Sequence, residues 1–360
     1  MNQIDPLTSD RVFSAIRRIA DSLADLSIKK PIKAVFLSLQ KQRFCTQEPK
    51  SITISDIEFT VLPDIEEVLQ ERRHYDLCVL CCHADGEEAP LIELRKKQIA
   101  TLYFAWMWDN HHHHLSNLRI ATLADVIFPS HWHGHQYQYL NHPAALCGVH
   151  IPLYSRQWSA GLIVQNYPDG LPVARADEIF GGFGRYHWLP ERDGFIEQLM
   201  NTMPKHALSL VDGDNYFRLP IVDRLRAWTA HKIHLTVPVA HDVSTRIFEA
   251  LMTGQIPLVP QDVPDLDYIV PQDLQRSLPI LRYRSGLVES VQDAWQEGVR
   301  RFDSEGDVGV ARRHAFARDH HGLAARLQSF ATFVREPRSV VLQSNGRVVC
   351  WIEADALSSR

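Results

Sequence analysis

Apolar residues recur along this chain in two periods, and the alternation between them predicts its architecture. Residues 8–27 carry Val12, Ile16, Ile19 and Leu23 at spacings of three or four, the period of one buried helix face. Short apolar runs then follow at Ala34–Leu39, Asp76–Cys82, Ile99–Ala105 and Asp125–Pro129, separated by polar or helix-like segments. Such runs read as strands buried on both faces of a parallel sheet, and their alternation with helices predicts an α/β doubly wound domain. The pattern resumes in the second half with an extended EIFGGF, a helix starting near Asp193, a strand in KHALSLV and another in HKIHLTV. From about 285 to 335 the chain is rich in helix formers, with Leu287, Val291, Trp295 and Val299 spaced by four.

The stretch His241–Pro260 (HDVSTRIFEALMTGQIPLVP) reads as a polar loop, a short helix capped by Ser244, a turn at Gly254 and a buried strand Ile256–Val259. Ile247, Ala250 and Leu251 share one helix face, and Arg246 and Glu249 sit three apart on another. An exposed ion pair would explain the last two. Ser244, Thr245 and the unpaired N–H groups of a first helical turn also make an anion site, to which Arg246 adds a fixed positive charge.

A length of 360 residues suits two domains of roughly 150 residues each. Residues 151–175 hold three prolines and two glycines with weak periodicity. The expected division is an N-terminal domain over 1–160, a linker over 161–176, a second domain over 177–335 and an extension over 336–360, in which Asn345-Gly346 suits a hairpin turn. A net charge of −5 offers no global attraction to nucleic acid, so a phosphate site must be local. The N-terminus lacks the apolar core of a signal peptide, and no run approaches the roughly 20 residues that span a bilayer. A cytoplasmic protein is expected, with peripheral contact at the inner face of a membrane left open.

Six cysteines form no framework; Cys78, Cys81 and Cys82 fall in the apolar run YDLCVLCCH and suit a buried, reduced strand rather than zinc. Two polar clusters follow strands in the first half. One is Trp106, Trp108, Asp109 and Asn110 with His111–His114, where Asp109 can orient an imidazole and the tryptophans can wall a sugar. The other is Ser130-His131-Trp132-His133-Gly134-His135, whose alternating histidines could face a ligand or a metal. In the second half, Gly181, Gly182 and Gly184 suggest a turn that lets backbone approach a ligand, with Arg185 and Arg192 as phosphate-binding cations. Asp212 and Asp214 follow the next strand.

The segment S-T-R-I-F-E-A-L-x-x-G-x-I-P-L-V (244–259) resembles the donor-site signature of GT-B glycosyltransferases. Gly184-Arg185 followed by Arg192-x-Gly194 is similar to the phosphate-binding segment that opens their donor domain, and IFPSHWHG fits loosely a segment facing their cleft. The resemblance implies two Rossmann-like doubly wound domains with a C-terminal helix returning to the first. It further implies a nucleotide sugar between them as substrate, with no cofactor and no metal. Gly182, Gly184, Arg185, Arg192, Ser244, Thr245 and Arg246 would hold its phosphates and Glu249 its ribose; Asp109, His111, His133 and His241 would be the catalytic candidates, Asp109 foremost. The acceptor implied is a surface polysaccharide or a lipid-linked glycan. One departure stands at His241, where the common retaining pattern has a first Glu eight positions before the helix Glu. An imidazole cannot repeat a carboxylate's paired acceptor contacts, which keeps a CMP-activated acidic sugar such as CMP-Kdo beside a nucleotide-diphosphate sugar. Two other readings remain: a metal-dependent hydrolase built on the histidine clusters, and a non-catalytic nucleotide-sugar or glycan-binding module.

Overall fold

In a computed structural model the chain forms two compact units, Met1–Leu153 with Ala324–Arg360, and Tyr154–Leu323. The structure describes residues 6–38, 50–62, 65–71, 73–82, 88–107, 114–128, 130, 145–147, 154–212, 219–336, 340–344 and 348–352. Asp109, His111, His133, the other histidines of 112–113, 131 and 135, Trp108 and Asp214 lie outside these residues. His114 opens a helix, and nothing is said of its side chain.

The first unit begins with α1 (Pro6–Ile28), β1 (Ile32–Ser38), β2 (Ser51–Ile54), β3 (Ile57–Leu62), α2 (Ile65–Glu71), β4 (Tyr75–Cys82) and α3 (Glu88–Lys96). It continues through β5 (Ala100–Met107), α4 (His114–Ala121), β6 (Val126–Phe128) and β7 (Ala145–Cys147). These strands order as β7-β6-β5-β4-β1-β3-β2, all parallel except β2 against β3. The apolar runs are buried on both faces as a helix-covered parallel sheet requires: Ala34, Val35, Phe36 and Leu37 are all fully buried. The β2–β3 hairpin has no counterpart in the sequence reading. Its turn puts Ser55 and Asp56 at φ 49° and 59°, the left-handed pair that matches the twist of an antiparallel ribbon. Cys78 is buried, and desolvation pushes its thiol up, as a structural cysteine should behave. Trp106 is core rather than a sugar wall, edge-on to Phe36 with centroids 5.2 Å apart.

The second unit contains α5 (Ala160–Asn166), β8 (Ala176–Gly184), α6 (Pro190–Thr202), β9 (His206–Val211), α7 (Ile221–Thr229) and β10 (His231–Leu235). It continues through α8 (Thr245–Met252), β11 (Ile256–Pro260), α9 (Leu266–Ile269), α10 (Gln272–Ser277), β12 (Leu281–Tyr283) and α11 (Val288–His321). All five strands are parallel in the order β12-β11-β10-β8-β9, so the winding reverses between β8 and β10. Residues 161–176, expected as a linker, include α5, whose start is capped by Ser159 accepting from Leu162 N. Gly181 and Gly182 lie within β8, not in a turn; a Cβ on Gly181 would stand 2.9 Å from the Phe183 ring. Gly254, at φ 76°, ends α8 where a Cβ would stand 2.7 Å from Val310 of α11, so the turn needs glycine on both counts. Helix α11 bends at Gly306, whose φ of 56° interrupts it.

The chain then returns to the first unit as α12 (Leu323–Arg335), β13 (Val340–Ser344) and β14 (Val348–Ile352). Phe330 packs edge-on to Phe104 (centroids 5.0 Å) and Phe333 to Phe128 (5.3 Å), which explains the apolar spacing of LAARLQSFATFV. The antiparallel β13–β14 hairpin joins the sheet edge at β7, in the place its alternating pattern suggested. Among the described residues no helix is long and apolar enough to cross a membrane.

Arg335 fastens this return. Its guanidinium donates to five main-chain carbonyls: Leu26, Ser27 and Lys29 after α1, and Ser55 and Asp56 in the hairpin turn. A planar five-donor fork can serve such a set and a point-charge ammonium cannot. Arg335→Lys should therefore destabilise the first unit by roughly 1–3 kcal/mol in urea unfolding, nearly as much as Arg335→Ala.

Candidate functional site

In an open parallel sheet, ligands bind beyond the carboxyl ends of the strands where the winding reverses. In the second unit that place is the crevice between the ends of β8 and β10. Arg192, on the first turn of α6, lies in it. Pro190 at the helix start fixes the entry, and the guanidinium spans the gap: Nη1 donates to Gly184 O at 3.1 Å and Nε to Val237 O at 3.1 Å. Nη1 also meets Asp193 Oδ1 at 3.0 Å, while Asp193 Oδ2 accepts from Tyr186 N at 2.8 Å and fixes the loop after β8. The Arg192 side chain is 10% exposed. It is thus a brace between strand ends before it is a ligand for anything, and only Nη2 stands outside these bonds.

Arg246, on the first turn of α8, shares the crevice. Both guanidiniums lie over the Phe183 ring, Arg192 at 5.6 Å and Arg246 at 5.9 Å from its centroid, and Arg192 also covers Tyr186 at 5.1 Å. Burial lowers Arg192 from the usual arginine range, and repulsion from Arg246 lowers it further. Two cations held together this way favour an anion between them. The start of α8 points the same way. Ser244 is extended (φ −67°, ψ 134°), and its Oγ accepts from Arg246 N at 3.3 Å, so the cap expected from sequence is formed and Thr245 is the first helical residue. The positive end of this helix and the two guanidiniums gather positive potential at one strand-end crevice.

The other expected site residues are placed differently. Gly184 is the last residue of β8, and its carbonyl is occupied by Arg192. Arg185 is turned onto two carboxylates, Glu197 at 2.9 Å and Asp212 at 3.4 Å, which raise its affinity for its proton. Glu249 is not on an outer face beside Arg246: it is 1% exposed on a helix whose residues from Ile247 to Met252 are all buried. Gln157 donates to both its oxygens, from N at 3.3 Å and Nε2 at 2.8 Å, and Gln157 Oε1 accepts from Arg224 Nη1 at 2.6 Å. The Glu249–Gln157–Arg224 chain is an internal support of α8. His241, on the loop after β10, is 66% exposed, with Nδ1 3.0 Å from Asp262 Oδ2. Among the described residues no group of three or more His, Cys, Asp or Glu could hold a metal.

The sequence reading missed Gln157, Arg224, Asp262 and the exposed aromatic Trp188, which packs edge-on to Tyr186 at 5.9 Å. Asp262 and Trp188 are findable, because each lies within four residues after the carboxyl end of a strand. Gln157 is not, since it lies 92 positions from the residue it supports.

No family model matches the chain, and no curated protein does. Among solved structures it is similar to a sucrose-phosphate synthase from Thermosynechococcus elongatus, at 11% identity and a TM-score of 0.45 over 84% of this chain and 98% of that one. It is also similar to a putative UDP-N-acetylglucosamine 2-epimerase from Listeria monocytogenes (12%, TM-score 0.40, 85% and 96%). An O-GlcNAc transferase mutant from Thermobaculum terrenum gives 13%, a TM-score of 0.44, 85% and 68%. At these scores the likeness assigns no activity.

Two outcomes follow from the buried groups. Glu249→Ala should cost about 3–5 kcal/mol in urea unfolding, because it leaves Gln157 N and Nε2 buried without their acceptor and removes the carboxylate at the end of the chain that reaches the buried Arg224 cation, whereas Glu249→Gln should cost less. His234 is fully buried against Trp228 (centroids 4.2 Å), with neither ring nitrogen hydrogen-bonded; burial holds it well below the usual imidazole range, and Arg246 and His231 push the same way. The unfolded chain takes up a proton near pH 6.5 that the native chain refuses, so stability falls as pH drops below about 6.5 and His234 contributes no slope above it. His234→Phe should reduce that slope by up to about 1.4 kcal/mol per pH unit, read from unfolding curves between pH 6.5 and 5.

Proposed function

We propose that this protein is a GT-B glycosyltransferase, moving a sugar from a nucleotide-activated donor to a glycan or lipid-linked acceptor. The observation that carries the reading is the convergence of Arg192, Arg246 and the capped start of α8 on the crevice where the second sheet reverses. Loss of a nucleotide leaving group places negative charge on phosphate. Fixed guanidiniums and a helix N-terminus stabilise that charge without reorganising at the moment of reaction, so the chemistry needs no resident metal. Trp188, 54% exposed beside Tyr186, offers a ring face to the donor's planar base. The motif at 244–259 supports the same reading, with the phosphate at its start; the burial of Glu249 makes it a support for α8 before it is a ribose ligand.

The donor is a nucleotide-diphosphate sugar or a CMP-activated acidic sugar, and the acceptor a surface polysaccharide or lipid-linked glycan met in the cytoplasm at the membrane's inner face. Asp109, His111 and His133 remain the proposed acceptor-side groups.

A thermal-shift panel of UDP, GDP, dTDP, CMP and their sugars, followed by turnover with the best donor, tests this. A ligand at a hundred times its Kd stabilises the native state by about 2.7 kcal/mol. The cognate nucleotide should give such a shift, and Arg246→Met should weaken its binding by roughly 10- to 100-fold with the apo melting temperature little changed. Binding of every nucleotide unaffected by that substitution, or no transfer from any donor, would overturn the assignment.

A further inference from the structure

Three consecutive strand ends of the second sheet each deliver one polar side chain to a single cluster. His241 follows β10, Asp262 follows β11 and Ser285 follows β12. Asp262 divides its carboxylate between the other two: Oδ2 lies 3.0 Å from His241 Nδ1, and Oδ1 accepts from Ser285 Oγ at 2.5 Å. With Nδ1 committed to Asp262, the imidazole presents Nε2 outward, and the residue is two-thirds exposed.

The backbone that carries His241 is in an unusual state. Ala240 and His241 are consecutive non-glycine residues in the left-handed region, at φ 46° and 65°, in a turn closed by Asp242 N donating to Val239 O at 3.0 Å. Side chains disfavour this conformation because Cβ crowds the following carbonyl. An exposed histidine–aspartate pair returns too little to explain two such residues in a row. Stability is therefore a poor reason for the geometry, and strain kept at a strand end is a signature of a working group. The position is specific as well. His241 precedes the helix cap Ser244 by three residues, so its Cα lies within ~11 Å of the anion-binding helix start.

We propose that His241 is a catalytic residue that protonates the departing phosphate, and that Asp262 and Ser285 are its positioning residues. The inference rests on the glycosyltransferase reading above and names the group that assists its leaving step. As the bond from the anomeric carbon to the phosphate oxygen breaks, its electron pair passes to that oxygen, which takes the Nε2 proton of His241. The acceptor hydroxyl oxygen forms the new bond to the anomeric carbon, its proton leaves to solvent, and Nε2 recovers a proton from solvent. Asp262 holds the ring by Nδ1–H throughout, so the same nitrogen gives and regains the proton.

The test is steady-state kinetics with the best donor, joined to the imidazole 15N spectrum of the intact protein. His241→Gln should lower kcat by roughly 100-fold or more while nucleotide affinity and KM stay within about threefold, since general acid assistance acts in the transition state. Asp262→Asn should lower kcat by about tenfold and alter the His241 15N resonances, which in the wild type should report a protonated Nδ1. Ser285→Ala should show a smaller change of the same kind. A His241→Gln enzyme with kcat within threefold of wild type, or one that loses nucleotide affinity instead of kcat, overturns the proposal. So does a wild-type spectrum with an unprotonated Nδ1. Wild-type protein that transfers from no donor defeats the glycosyltransferase reading itself, and that failure is told apart by being present before any substitution.

Discussion

The brace formed by Arg192 is the interaction on which the rest of this site depends. Reversal of the winding between β8 and β10 leaves their carboxyl ends diverging into separate loops, and one guanidinium from α6 holds Gly184 O and Val237 O together across the gap. Hydrogen bonds from a charged donor to carbonyls are stronger than neutral ones, and partial burial shields these from water. The brace fixes the loop that leads to Ala240, His241 and the cap of α8. It also leaves a largely buried positive charge at the bottom of the crevice, beside Arg246 over the same phenyl ring. The same residue therefore builds the crevice and gives it its sign.

Helix α8 is divided along its length rather than around its circumference. At its start lie the cap, Arg246 and the N–H groups of the first turn. Further along, Phe248 stacks on His321 of α11 with centroids 3.9 Å apart, and Glu249 is bound by Gln157, whose own Oε1 accepts from Arg224. A buried carboxylate is tolerable only when its lone pairs are taken, and Gln157 relays that requirement to a buried cation. The consequence for the site is rigidity: the open end of the helix is positioned by a buried middle, apolar except for the hydrogen-bonded Glu249.

Much of this was legible in the chain. Strands β1, β4, β5 and β6 of the first unit and β8 to β11 of the second announced themselves as short apolar runs, because a strand covered on both faces has no polar side to disguise it, whereas the parallel strands β3, β7 and β12 did not. The Ser244 cap and the Gly254 turn follow from local backbone chemistry and stand where the sequence puts them. Helix α5 was hidden by prolines and glycines around it, and the β2–β3 hairpin by a turn built on Ser55-Asp56 rather than on glycine. Glu249 shows a different limit. Its spacing from Arg246 gives an angle on a helix, and an angle does not say whether that face meets water or Gln157, which arrives from 92 residues earlier. Arg192 reads as a phosphate ligand for a similar reason: nothing local reveals that two carbonyls claim it first.

These placements separate binding from chemistry within one strand edge. The groups that would hold phosphate, Arg192 and the start of α8, are locked by carbonyls, rings and a cap, so their charge is preorganised. His241 is carried instead on a left-handed turn and supported by side chains from two further strand ends. A proton carrier has to exchange its proton with solvent between cycles, which requires exposure, whereas a fixed cation works best when it is partly dry. Burial of Arg192 and exposure of His241 are then two answers to one requirement: charge that forms on a leaving phosphate must be met at once and afterwards released.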